Sequence, residues 1–413
     1  MHSENVSRRT LLKKAGQSAA SFAVMRLAGP TRVFAQAGDE VIPWLDQPTP
    51  NPAPPAIVGN LLDWEKLEAR LTPAHNFFYI NHYGIPPGLD ETSWRVTIAG
   101  LVDRPRSFTL ADLKARERHE VEFALECSGN SSAPFFIGGI GNARWTGARL
   151  APLLHQARIR DEGTEVVFWG ADRGTVTIRD NVGILNGGRT GTVQPDTSGG
   201  LDLTITEQFA RSMSVQEALG HDNLLCYEMN DERLPPEHGF PVRLIAPGWY
   251  GVANVKWLTR IEVVDRRFAS QFMARDYVSI REQEREGQTV WTFMTVGRFR
   301  LKSAPAKVTR RQNQYTVMGA AWGAPIAAVE VQIDNEPWRR ATLDRAEWQR
   351  SRGYAWRFWT FDWGRPALGE HQVRSRAFDD EGNVQPAPGD PFLASRRTFW
   401  EANGHITRRV LIR

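Results

Sequence analysis

Beyond residue 291 the chain is a succession of short runs that alternate apolar and polar positions: 314-QYTVMGAAW-322, 327-AAVEVQID-334, 355-AWRFWTFDW-363 and 370-EHQVRSRAFD-379. Turn residues separate them, such as Asp334-Asn335 and 379-DDEGN-383. Period-two alternation rich in β-branched and aromatic residues gives strands with one buried face. Short strands at this spacing bury that face by packing as two sheets, so residues 291–413 are expected to form an immunoglobulin-like β-sandwich. Upstream, strand-like runs (93-SWRVTIAGLV-102, 164-TEVVFWG-170, 173-RGTVTI-178, 242-VRLIA-246, 257-WLTRIEVVD-265) mix with short helical pieces. The whole therefore reads as α+β. Thr109 and Asp112 form a capping box that opens a helix running through Lys114. The apolar spacing of 61-LLDWEKLEARL-71 predicts a short amphipathic helix. The Pro-rich 46-DQPTPNPAPPAIVGN-60 predicts an extended arm, assigned here to residues 38–75.

The N-terminus, 7-SRRTLLKKAGQSAASFAVMRLAGP-30, has paired arginines, a short apolar stretch and Ala35-Gln36-Ala37 as a small-residue cleavage site. That order marks an export signal over 1–37 of twin-arginine (Tat) type, cleaved near Ala37 and delivering the chain to the periplasm. The apolar part is too short to span a bilayer, so no membrane anchor is expected. The chain's formal charge is +4. Residues 1–37 hold six Lys/Arg against one Glu, so the remainder is close to −1. No nucleic-acid partner is expected from so balanced a surface.

The chain has two cysteines. Cys226 lies in the apolar run 224-LLCY-227 and reads as a small core residue. Cys127 ends the alternation Val121, Phe123, Leu125, whose intervening Glu120, Glu122, Ala124 and Glu126 form the other face. A loop of Ser128-Gly129-Asn130-Ser131-Ser132 follows. A lone thiol there is either a core residue or a soft metal ligand and nucleophile.

Three segments resemble the sulfite oxidase family of molybdenum enzymes: 126-ECSGN-130, the long block 227-YEMNDERLPPEHGFPVRLIAPGWYGVANVKWLTRIEV-263, and 273-MARDY-277. The resemblance implies a sulfite-oxidase-type molybdopterin-binding catalytic domain over 76–290, followed by an immunoglobulin-like dimerisation domain over 291–413. It implies a molybdenum cofactor ligated by Cys127, with Tyr277 beside the metal. Tyr79, Asn81, His82, Asp172, His238, Arg243, Asn254 and Lys256 are the implied cofactor-binding residues. Arg suits the pterin's phosphate because it donates two parallel hydrogen bonds. No C-x-x-C-H haem attachment motif occurs, so the resemblance implies a separate c-type cytochrome as electron acceptor and a homodimer as the assembly.

Sulfite is the family's default substrate, held by converging arginines. Here Ile80, Ser132 and Asn403 stand where the family has Arg, with Arg144 and Arg275 as candidate replacements. Losing three guanidinium groups weakens charge-assisted binding of a dianion. The expected reaction is therefore two-electron oxygen-atom transfer on sulfite or on a less anionic compound such as a sulfoxide. A non-catalytic secreted binding protein is the reading from another class.

Overall fold

The computed structural model describes residues 38–413 apart from 131–136, 179–202 and 345–352. The expected signal at 1–37 and Ser132 lie outside the described residues. Strand β1 (Glu40–Ile42) pairs antiparallel with Val308–Arg310, so the arm begins as part of the sandwich. Where the spacing predicts a helix over 61–71, only a 3-10 turn forms, Trp64–Lys66. Tertiary bonds take its place: Leu62 N donates to Gly138 O at 2.8 Å and Trp64 Nε1 to Ile137 O at 2.8 Å. Packing of Trp64 and Leu67 into a shared core outweighs local helix propensity.

After a short antiparallel pairing of Val58–Gly59 with Tyr79–Ile80 come β2 (Arg95–Gly100), β3 (Arg106–Thr109) and α1 (Leu110–Lys114). The Thr109–Asp112 capping box is formed in both directions. They are followed by β4 (His119–Glu126), β5 (Ile140–Arg149), α2 (Leu150–Ala157), β6 (Glu165–Ile178), β7 (Leu203–Ser214), α3 (Val215–Ala218), β8 (Leu224–Met229), β9 (Arg243–Ile245) and β10 (Leu258–Val264). One sheet has the order β3-β2-β10-β6-β7, with β2 and β10 parallel. A second runs Glu232–Arg233, β8, β5, β4, with β9 on β8. The two runs at 164–170 and 173–178 are one strand, β6, whose register against β7 shifts between Trp169 and Arg173.

The hairpin β11 (Val278–Arg285) and β12 (Gln288–Thr295) follows, so the boundary expected at 290/291 falls inside β12. The sandwich comprises β13 (Lys302–Arg311), β14 (Gln314–Trp322), β15 (Ile326–Ile333), β16 (Arg357–Gly364), β17 (Gly369–Asp379) and β18 (Ile406–Ile412). Its sheets are β1-β13-β14-β16 extended by Thr342–Leu343, and Arg339–Arg340 followed by β15-β17-β18. Val308, Val317, Val331, Trp359 and Val373 fill the space between them. Each such aliphatic side chain contributes about 1.5–3 kcal/mol by burial.

The sandwich also covers one face of β4. Ala124, Ile140, Trp322, Trp356 and Phe358 form a cluster across that contact. Val121, Phe123 and Leu125 are buried as their parity requires, but Ala124 and Glu126 are buried as well. The end of β4, expected to be half exposed, is enclosed on both faces. A carboxylate is thereby buried directly before Cys127.

Candidate active site

Cys127 leaves β4 into a clamped loop. Its N–H donates to Gly139 O at 2.8 Å, and Asn130 N donates to Cys127 O at 2.9 Å. Asn130 locks the loop from within: Nδ2 donates to Glu126 Oε1 at 2.9 Å, while Oδ1 accepts from Gly139 N at 3.0 Å. Glu126 in turn accepts from Lys302 Nζ at 2.6 Å and from Trp322 Nε1 at 2.9 Å, both residues of the sandwich. The Gly129 N–H points at Sγ from 3.5 Å. Burial pushes the thiol up to about 12, so the sulfur carries its proton until a cation displaces it.

Tyr277 lies in the same pocket as Cys127. Its backbone has φ +56°, a left-handed conformation uncommon for a bulky residue, which turns the side chain inward ahead of β11. Trp400 stacks on its ring at 4.2 Å between centroids. The phenol oxygen lies 3.0 Å from His82 Nε2. His82 is stacked on Phe272 and Phe209, at 4.7 and 5.7 Å, and burial with Lys256 and Arg211 nearby lowers it to about 3. The imidazole is therefore neutral at physiological pH, and with Nδ1 protonated its Nε2 accepts the phenol proton. Burial also raises Tyr277 well above its ordinary value, so that proton stays on the pair.

Cations underlie the pocket. Lys256 donates to Ile80 O at 2.8 Å, to Glu237 O at 3.0 Å and to Asn81 Oδ1. Arg243 spans His238 O and Asn254 O, both at 2.9 Å, and lies over the Trp145 ring. Two of its five N–H donors are thus committed to backbone. Burial pulls Lys256 well below its ordinary value and Arg243 to about 10. The one carboxylate lining the pocket among the described residues is Asp172, which burial raises to about 7.

The remaining expected residues divide. Asn81 is buried beside Lys256, and His238 packs edge-on against Phe77 with Nε2 3.1 Å from Ala74 O. Asn254 does not face the pocket lining. Its side chain accepts from Ala246 N at 2.8 Å and donates to Trp249 O and Tyr250 O, which fixes the 246–254 turn. Tyr79 donates to Pro55 O at 2.8 Å and ties the arm down. Neither candidate replacement arginine reaches the pocket: Arg144 pairs with Asp231 at 2.7 Å on the surface, and Arg275 is exposed. Ile80 contributes to the pocket wall, while Asn403 is buried and donates to Leu301 O at 3.3 Å.

Two residues escaped the sequence reading. Lys302 holds the cysteine loop through Glu126. Arg211 is buried to 1% exposure on β7 and donates to Phe272 O and Val296 O. It forms no ion pair among the described residues, and burial lowers it to about 9. Its signal was present: in Phe209, Arg211, Met213 an arginine occupies the apolar parity of a strand.

This donor set fits a molybdopterin-type cofactor. Among the described residues Asn81 Nδ2, Ser128 Oγ, Asp172 Oδ1 and Arg243 Nε are buried without a protein partner, and the pocket lining sets two buried cations, Lys256 and Arg243, against one carboxylate, Asp172. An anionic, hydrogen-bond-rich ligand satisfies both conditions, and the thiol suits a soft metal. Fold and site together define a molybdopterin-binding protein. Residues 82–186 and 192–272 match the oxidoreductase molybdopterin binding domain, and 301–400 match the Mo-co oxidoreductase dimerisation domain. Over 345 residues the chain is 31% identical to the mitochondrial sulfite oxidase of Rattus norvegicus, covering 77% of this chain and 58% of that protein. It is 30% identical to the sulfite oxidase of Gallus gallus, covering 77% and 69%. The chain thus spans little more than half the length of the rat protein. Its fold matches the crystal structure of the sulfane dehydrogenase SoxCD from Paracoccus pantotrophus with a TM-score of 0.69 at 22% identity, covering 97% and 96% of the two chains. The chain belongs to the sulfite oxidase family of molybdenum-cofactor oxidoreductases.

Proposed function

We propose that this protein is a periplasmic, homodimeric molybdenum oxidoreductase that adds an oxygen atom to sulfur. For sulfite, water supplies the oxygen, and two electrons and two protons leave with sulfate. The electrons then pass singly to an external c-type cytochrome. The observation that carries the reading is the meeting of Cys127, Tyr277 and Lys256 in one buried pocket. A non-catalytic binding protein has no use for a buried thiol beside a hydrogen-bonded Tyr–His pair.

When bound, molybdenum supplies a soft two-electron centre that exchanges an oxygen atom. Cys127 offers the protein sulfur ligand, in a loop that Asn130 and Glu126 keep rigid. Lys256, Arg243 and His238 would hold the anionic end of the pterin, and Asn81 and Asp172 would offer it a donor and an acceptor. Tyr277 and His82 hold a proton between them at 3.0 Å, poised for a substrate oxygen. Phe209, Phe272 and Trp400 keep water from that proton.

The wall favours a substrate less anionic than sulfite. Ile80, Phe77, Phe78, Leu125 and Val252 line the pocket, and the Arg211 guanidinium is engaged by carbonyl groups. Turnover of sulfite and of neutral sulfur compounds, followed by cytochrome c reduction per bound molybdenum, tests this. Activity that vanishes in Cys127→Ser and favours the neutral compounds is expected. Efficient sulfite oxidation at micromolar KM refutes the substrate assignment, and full molybdenum loading without any turnover refutes the enzyme.

A further inference from the structure

Far from the pocket, at the opposite end of β4 from Cys127, three metal-ligating side chains converge. His119 is the first residue of β4, about 26 Å along the strand from the cysteine at the usual rise per residue. His221 and Asp222 occupy the turn between α3 and β8. That turn is rigid: Asn223 Nδ2 donates to Glu217 O at 2.7 Å and Ala218 O at 3.1 Å, and Leu150 N donates to Asn223 O at 2.8 Å. Asp222 is consequently fixed, with 8% exposure. Its Oδ1 is approached from both sides, by His221 Nδ1 at 2.9 Å and by His119 Nε2 at 3.4 Å. One ligand atom from each of the three residues lies within 4.8 Å of the other two.

We propose that His119, His221 and Asp222 bind one borderline transition-metal ion, Zn2+ foremost. Tetrahedral zinc with bonds of about 2.0–2.2 Å holds its ligand atoms about 3.3–3.5 Å apart. Both separations involving Asp222 are already close to that. The movement needed is in the His221 side chain, which is 53% exposed. Two imidazoles and one carboxylate suit zinc better than the all-oxygen demand of magnesium or calcium. The ion would clip the turn before β8 to the start of β4, across the intervening strand β5.

Arg149 supplies an independent check. Its Nη1 lies 3.0 Å from His221 Nε2 while Nη2 pairs with Glu117 at 2.6 Å. In the hydrogen-bonded state Nε2 accepts from Arg149 and Nδ1–H donates to Asp222. An ion on Nδ1 displaces that proton and leaves Nε2–H facing a cation. Arg149 therefore competes with the metal. Arg149→Gln removes the charge and offers an amide oxygen to Nε2–H, so it should tighten binding.

The test is a Zn2+ titration of the purified full-length protein against a chromophoric chelator. Expected are one site per chain, affinity lower by on the order of tenfold or more in His221→Ala and Asp222→Asn, and tighter binding in Arg149→Gln. His221→Ala changes a half-exposed side chain, so its folding is not at issue. Cys127→Ser leaves the site intact, which separates this outcome from that of the pocket. Absence of stoichiometric zinc, or unchanged affinity in both ligand variants, overturns the proposal. Weaker binding in Arg149→Gln overturns the ligation through Nδ1.

Discussion

Replacing Lys302 by Met should loosen the cysteine loop from a distance. Lys302 Nζ and Glu126 Oε1 are 2.6 Å apart, with 1% and 0% of their side chains exposed. Removing one member of a buried pair strands the other charge and costs about 3–5 kcal/mol. Glu126 keeps its bonds from Trp322 and Asn130, so the lower end, about 3 kcal/mol, is expected. Asn130 loses a carbonyl contact to Lys302 and shares a carboxylate that has lost its cation. The loop that presents Sγ should therefore hold molybdenum less well. The assay is equilibrium denaturation of the cofactor-free protein, with molybdenum per chain measured separately by mass spectrometry. Glu126→Gln combined with Lys302→Met replaces the pair by neutral groups and should recover part of both losses. Wild-type stability and metal content in Lys302→Met would refute the clamp. A double variant worse than the two single losses combined would refute its ionic character.

Three further outcomes are expected. Asp172 titrates near 7 in the folded chain against 3.8 when exposed, so the native state holds the extra proton between them. Its contribution to stability falls as pH rises through that window, and Asp172→Asn should gain on the cofactor-free wild type by up to roughly 4 kcal/mol above pH 7. Parallel pH-stability curves would contradict this. Tyr277→Phe removes the proton shared with His82 and should lower kcat by about a hundredfold or more at unchanged molybdenum content, measured per bound metal. Gly147→Ala drives a methyl into the Leu225 carbonyl across the β5–β8 pairing and should cost about 1–3 kcal/mol in thermal or denaturant unfolding.

The sandwich was readable because alternation and turn residues agree. The run 314–322 coincides with β14, and the run 370–379 differs from β17 by one residue. The capping box at Thr109 was readable because it is local. The helix over 61–71 was not, because its apolar residues serve a core shared with strands far away in sequence. Glu126 misled for the same reason. A carboxylate at the outward parity of a strand reads as solvated, and its partner lies 176 residues on. Cys127, Tyr277, His82 and Lys256 were legible as a group through family resemblance, and the chain does bring them to one pocket. Asn254 and Tyr79 carried the same motif signal, yet their side chains are occupied by turn and arm. A motif preserves residue identity without saying which way a side chain faces.

Molybdenum K-edge absorption on the purified wild type and on Cys127→Ser tests the central assignment most directly. Expected is a sulfur shell larger by one neighbour in the wild type than in the variant, with the cofactor's own sulfurs common to both. An identical sulfur shell in the two proteins would mean that Cys127 is not the ligand and that the pocket holds its metal in some other way.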